Sequence, residues 1–261
     1  MLHAFIPDLP IPAMVMLLSV LGTAGLVSGL SGFGFSAVGA AILVLLPPAK
    51  GVPLLMALST ANQLLSLREL RDEMAPPSQW WPDGPGPYLL GGLLGLPFGL
   101  WLLTHLASGA LIVLFGALLF AYAAFSWHRP DHWRVAPGGW RTRALVGAVG
   151  GVIGGFTAFP GAAVVVWLNL VGAQKAAARA TTQPFILGMQ VVGLGLLAAA
   201  RPEAFGPDFL RLFGLCLPVV LPCTLAGVAL YRRLSDRNYR HVTLTLLAVS
   251  GIGLLGKGLV A

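Results

Sequence analysis

Two short runs built mostly from glycine, hydroxyl and phenylalanine residues are where this chain could do chemistry. The first is Ser28-Gly29-Leu30-Ser31-Gly32-Phe33-Gly34, and the second is Gly154-Gly155-Phe156-Thr157-Ala158-Phe159-Pro160-Gly161. Each interrupts an apolar stretch too long for one ordinary membrane span, Ala13 to Pro47 and Ala144 to Gly172. Inside a helix glycine costs about 1 kcal/mol and proline about 3. Each long stretch is therefore expected to split into two short half-helices. A break leaves N–H and C=O groups that lipid cannot pair, so it persists only where it lines a cavity or meets a ligand. A half-helix starting at a break aims its N–H groups and positive dipole end at that spot. Two such ends, one from each run, would hold a small anion. Ser28, Ser31, Ser36 and Thr157 add hydroxyl donors, and Gly32, Gly34 and Gly161 allow close backbone approach. Phe33, Ala158 and Phe159 complete the expected set at the breaks.

A second polar group follows each run: Ser59, Thr60, Asn62 and Gln63 in the first half, Thr181, Thr182 and Gln183 in the second. Of these, Asn62, Gln63, Thr181, Thr182 and Gln183 join the expected site. Gln190, one helical face further on, is a weaker candidate. The plainer reading of such residues is hydrogen bonding between helices. All nine acidic residues (Asp8, Glu69, Asp72, Glu73, Asp83, Asp131, Glu203, Asp208 and Asp236) sit in loops or at the ends of apolar stretches. A proton pump usually carries a carboxylate inside the membrane, so no carboxylate relay is expected. Anion export needs none, because each exported negative charge gains about 2.3 kcal/mol per 100 mV of inside-negative potential. No nucleophile–base pair, HExxH or phosphate loop occurs. The chain is thus not expected to be an enzyme, and no catalytic residue, cofactor or metal is assigned. His128 and His132, beside Trp127, Trp133 and Trp140, read as an interfacial anchor rather than a metal pair. Cys216 and Cys223 lie seven apart, about 10.5 Å along a helix, too far for a disulfide.

The elements that must position these residues follow from composition. The chain has 261 residues, 57% hydrophobic and 10% charged, with a mean hydropathy of +0.84. A soluble domain carries about 25% charged residues, so this is an integral membrane protein, with lipid as its partner and nucleic acid excluded. The net charge of +7 then reflects basic cytoplasmic loops. The N-terminus lacks a basic n-region, so the first apolar stretch is expected to be retained. Further stretches run Val52–Leu67, Tyr88–Leu103, Leu111–Trp127, Thr181–Ala200, Phe209–Tyr231 and Val242–Leu259, giving eight to ten spans. Gly91, Gly95 and Gly99 form a small-residue ridge suited to helix packing.

The halves are related. At an offset of 126, Gly25, Gly29, Phe33, Ala37 and Val38 meet Gly151, Gly155, Phe159, Ala163 and Val164. At 128, Gly99, Leu102, Leu106, Leu118 and Leu119 meet Gly227, Leu230, Leu234, Leu246 and Leu247. The loop carrying Arg129, Arg134, Arg141 and Arg143 and the loop carrying Arg232, Arg233, Arg237 and Arg240 are both expected to be cytoplasmic. The counterpart of the second, Thr104 to Gly109, has no Lys or Arg, so it should lie on the other side. The Arg68 and Arg71 turn, Lys175 and Arg179 then fall inside, and Lys50 and Arg201 outside. That demands an odd number of crossings per half, hence inversion. The expected fold is all-α and polytopic: two inverted repeats, each a broken-helix hairpin plus three transmembrane helices. The expected boundaries are 1–127 for the first repeat, 128–143 for a basic linker and 144–261 for the second. Inverted repeats with paired broken helices place a transporter's site near the midplane.

The run from Gly25 to Ser36, its echo from Gly151 to Gly161, and the Ala180-Thr181-Thr182 segment resemble the TauE/SafE family of membrane proteins, as do the size, the duplication and the basic central loop. Ala158 and Pro160 stand where that family often has glycine. The resemblance implies a bacterial inner-membrane transporter exporting sulfite or a short organosulfonate such as sulfoacetate. An anion channel, or an importer of the same anions, is the alternative. Oligomeric state is left open, a homodimer being one option.

Overall fold

The computed structural model describes residues 10–69, 71, 76–128, 135–231, 252 and 255–256. The expected last helix (Val242–Leu259), the basic loop at Arg232 to Arg240, His132, Trp133 and the acids Asp8, Asp72, Glu73, Asp131 and Asp236 lie wholly or largely outside the described residues. What is described is all helix and turn. The order is α1 (Ile11–Ser31), α2 (Phe35–Gly39, continued as a 3-10 turn, Ala40–Val44), α3 (Pro48–Glu69), α4 (Gly86–His105), α5 (Ser108–His128), α6 (Trp140–Thr157), α7 (Gly161–Leu170), α8 (Lys175–Ala200) and α9 (Pro207–Tyr231).

Both breaks occur where expected, and both arise from the same local device. Helix α1 ends because Gly32 takes the left-handed conformation at φ +78°, its N–H returning to the Ser28 carbonyl at 2.7 Å. Helix α6 ends because Ala158 does the same at φ +58°, its N–H returning to the Gly154 carbonyl at 2.9 Å. Gly34, at φ +88°, then starts α2, while Pro160 starts α7 with a ring already set for helix.

The lengths correct the sequence reading. The pieces before the breaks are not half-helices. At 1.5 Å per residue, the 21 residues of α1 reach about 30 Å, a full bilayer core, and the 18 of α6 nearly so. Only the pieces after the breaks are short. Among the described residues, four helices are long and apolar enough to cross a membrane: α1, α4, α8 from Ala177, and α9. Leucines such as Leu94, Leu145 and Leu210 stand on the outer surface, which suits lipid rather than water.

Glycine sets how closely the helices approach. Helix α1 packs along α9, in the same direction: Gly22 faces Val219 and Cys223, Gly25 faces Val220 and Thr224, and Gly29 faces Thr224 and Val228. A Cβ on Gly29 would overlap the Thr224 carbonyl, and one on Gly227 the Leu26 carbonyl. Helix α6 packs along α4, again in parallel, with Gly95 against Ala148 and Gly151 against Gly92. The ridge at Gly91, Gly95 and Gly99 is thus a packing surface, as its spacing implied. Each break-bearing long helix lies against a helix from the other half. Between these pairs α3 meets α8 running the opposite way, Met56 beside Gly193 and Ser59 bonded to Gln190.

Loops pair at each end of the bundle. Arg143 at the start of α6 bonds Asp83 and the Pro82 carbonyl in the α3–α4 loop, and Trp81 meets Trp140 at 5.8 Å. At the other end Arg201 donates to the Thr104 carbonyl at 3.3 Å.

Candidate functional site

Ser31 and Thr157 hold equivalent places, each the last residue before a break. The Ser31 hydroxyl donates to the Val27 carbonyl at 2.8 Å and accepts the Phe33 N–H at 3.1 Å, and it also contacts the Phe33 carbonyl. The Thr157 hydroxyl donates to the Ile153 carbonyl at 2.6 Å and accepts the Phe159 N–H at 3.0 Å. A hydroxyl has one proton to give. Here that proton goes to the helix's own backbone, so both residues clamp the break in shape.

The carbonyl left over at each break is taken by a glutamine. Gln63 on α3 donates its amide to the Gly32 carbonyl at 3.0 Å. Gln190 on α8 donates to the Ala158 carbonyl at 3.0 Å and to the Ser59 hydroxyl at 2.9 Å. Gln63 and Gln190 lie 127 apart in sequence, between the offsets of 126 and 128 that pair the halves. Both are fully buried, and in both the amide oxygen is left without a hydrogen-bond partner.

These bonds bring the two breaks to one place. Ser59 and Gln63 are one turn apart on α3, so they share a face. Gln183 and Gln190 are two turns apart on α8 and share a face likewise. Break one meets Gln63 and Gln183, and break two meets Gln190, which Ser59 supports. Along α3 the two contact points are separated by about 6 Å of rise. Next to break one, Asn62 donates to Ser28 at 2.7 Å and accepts from Thr224 of α9 at 2.7 Å, tying three helices together.

The other expected residues fall as follows. Ser36 is buried with its hydroxyl unpartnered. Phe159 is fully buried in the core, whereas Phe33 is only partly buried against it. Gly34 borders Ser31 and Val27, and Gly161 borders Ile186 and Thr182. Thr182 therefore faces α7 beyond break two. Thr181 is buried on the same turn. Gln183 is buried with neither amide atom hydrogen-bonded.

The sequence reading missed Arg179. It placed this residue on the inner side near the end of a short half-helix, as a charge that told little, yet the residue is 4% exposed. Its guanidinium donates to the Gly29 carbonyl at 3.0 Å and lies 4.3 Å from the centre of the Tyr231 ring. An ionisable group inside an apolar helix is a functional candidate in its own right, and that signal was present in the sequence. Thr224, which bonds Asn62, was not singled out in the sequence, and Gln190, a weaker candidate there, bonds the second break. Among the described residues no group of three or more His, Cys, Asp or Glu comes together, and Cys216 and Cys223 are free thiols.

Comparison with known proteins gives one match. The model of the family described as Sulfite exporter TauE/SafE covers residues 17–254. No curated protein and no solved structure matches the chain significantly.

Proposed function

This chain belongs to the sulfite exporter TauE/SafE family, and on that premise we propose that it is a secondary transporter which exports a small anion by alternating access. The family makes it a multi-pass membrane transporter. The finer reading is that the anion, sulfite or a short organosulfonate, binds between the two breaks, and that the membrane is a bacterial inner membrane.

The observation that carries this is the convergence of both breaks on one buried face of α3 and α8, with polar atoms there lacking protein partners. A buried amide or hydroxyl left unpaired costs about 1–3 kcal/mol. Several such atoms around one spot are what a site built for a hydrated or polar solute looks like. The swapped, parallel pairings of α1 with α9 and α6 with α4, and the opposed run of α3 and α8, support two halves related by inversion. Inversion supports rocking of one half against the other around a fixed site.

Reconstitution in liposomes tests it. Counterflow of sulfite and sulfoacetate should be saturable, and faster when unlabelled anion is on the opposite side. An absence of saturable flux for every small anion tried would defeat the proposal. Current without counterflow would favour a channel, and net uptake against the potential an importer.

A further inference from the structure

We infer that Gln183 and Ser66 form the inner gate of the transport path, that Met56 and Gly193 form the outer gate, and that the polarity of the inner pair makes the empty protein rest open to the cytoplasm. The inference rests on the anion-transport reading and adds to it where the path closes and from which side the substrate loads.

Two contacts fix the antiparallel register of α3 and α8. Ser59 bonds Gln190 at 2.9 Å, and a Cβ on Gly193 would meet the Met56 thioether at 3.6 Å. Moving seven residues along each helix from the first contact sets Ser66 opposite Gln183, on the same two faces. Gly32 fixes that level independently. Its carbonyl takes Gln63, one turn from Ser66, and its Cβ position packs at 3.1 Å against Gln183 Nε2. Ser66 and Gln183 are fully buried, yet neither the hydroxyl nor either amide atom has a hydrogen-bond partner. They hold one level without bonding each other.

The repeat relates the two ends of this seam. At the separation of 127 between Gln63 and Gln190, Gln183 corresponds to Met56 and Ser66 to Gly193. Each end is therefore a long side chain against a small residue, about 4.5 Å of rise beyond its break. The shapes match and the chemistry does not. Met56 and Gly193 are buried and apolar, and gain nothing from water. Gln183 and Ser66 bury unsatisfied polar atoms that hydration would satisfy. Parting α3 and α8 at the Ser66 end relieves that cost, whereas parting them at the Met56 end exposes apolar surface. A rocking transporter chooses between these two openings, so without substrate its population lies toward the first. Loop charge places the Arg68 end of α3 on the cytoplasmic side. The rest state therefore faces inward and loads from the cytoplasm, as an exporter must. A small oxyanion passing this gate meets an amide N–H and a hydroxyl.

The test is thiol accessibility in membrane vesicles of known sidedness, with Cys216 and Cys223 replaced by alanine and a small, membrane-impermeant methanethiosulfonate as the probe. Without substrate, Ser66→Cys should react from the cytoplasmic face about 10-fold faster than Met56→Cys reacts from the opposite face. Gln183→Met, which makes the inner pair copy the outer one, should slow Ser66→Cys by about 10-fold. Met56→Gln, which gives the outer end an amide, should slow Ser66→Cys as well by drawing the population outward. Should Gln183→Met fail to fold, Met56→Gln still decides, because it lies about 15 Å along α3 from the reporter and acts on it only through the conformational balance. Equal reactivity of the two reporters, or a Ser66→Cys rate that neither variant changes, overturns the gates. Saturable counterflow of sulfite or sulfoacetate in the same vesicles then leaves the transport reading intact. Vesicles of the wild type that move no small anion overturn that reading and the gates with it.

Discussion

Ala158 holds a φ of +58° that L-residues rarely adopt, whereas its counterpart Gly32 holds +78° with no Cβ to strain. A side chain in this region costs about 1–2 kcal/mol. The two positions should therefore respond to substitution with opposite sign. Ala158→Gly should raise the melting temperature in detergent, by a net gain of about 1 kcal/mol. Gly32→Ala should lower it by at least as much, since the new methyl group would also press on Arg179 and Gln183 at 3.1 Å. A destabilised Ala158→Gly would mean the left-handed cap is not what ends α6. At this scale the sequence showed residue types but not their company. The hydroxyls of Ser31 and Thr157 were legible as polar groups at a break. That their protons return to carbonyls four residues back is settled by helix geometry, which composition does not reveal. Arg179 was visible as an ionisable residue, but its company was not, for a different reason. Its partner Gly29 is 150 residues away, and only closure of α8 against α1 brings the two together.

Glycine at the scale of helices has two jobs, and sequence alone blended them. Gly25, Gly29, Gly151 and Gly155 marked the repeat, and Gly29 and Gly155 were read as part of the breaks. In the fold they line the α1–α9 and α6–α4 contacts, while the breaks themselves lie just beyond, at Gly32 to Gly34 and Ala158 to Pro160. That is why α1 and α6 came out long rather than as half-helices. The distinction has a measurable consequence. Gly95→Leu must push α4 off the Ala148 backbone, and overpacking of this kind costs about 1–3 kcal/mol or more. Gly195, in α8, has nothing within 4 Å of where a Cβ would lie. Gly195→Ala should therefore be neutral or stabilise by up to about 1 kcal/mol, the helix preference of alanine. Thermal unfolding of the two variants should separate them clearly. Equal tolerance at both sites would mean that α4 and α6 do not lie backbone to backbone.

For the whole molecule, loops that the charge rule groups on one side are also loops that touch in the fold. Arginine placed the α3–α4 loop and the start of α6 on one side of the membrane, and the fold joins them through Arg143 and Asp83. The same rule placed the Thr104 loop and Arg201 on the other side, and the fold joins those through the Thr104 carbonyl. Surface ion pairs of this kind contribute at most about 1 kcal/mol, so they report proximity more than they stabilise. The repeat is read from glycine ridges and breaks that recur in order. Its inversion depended on counting crossings, and two of the expected pieces were misjudged in length, so direct measurement is needed. With Cys216 and Cys223 replaced by alanine, a single cysteine at Asp83 or at Glu203 can be probed with a membrane-impermeant maleimide in right-side-out and inside-out vesicles. Asp83→Cys should label only from the cytoplasmic face and Glu203→Cys only from the opposite face. In the repeat, the loop after α3 corresponds to the loop after α8. Labelling of both cysteines from one face would mean that the halves are not inverted, and rocking about an axis between α3 and α8 would lose its structural basis.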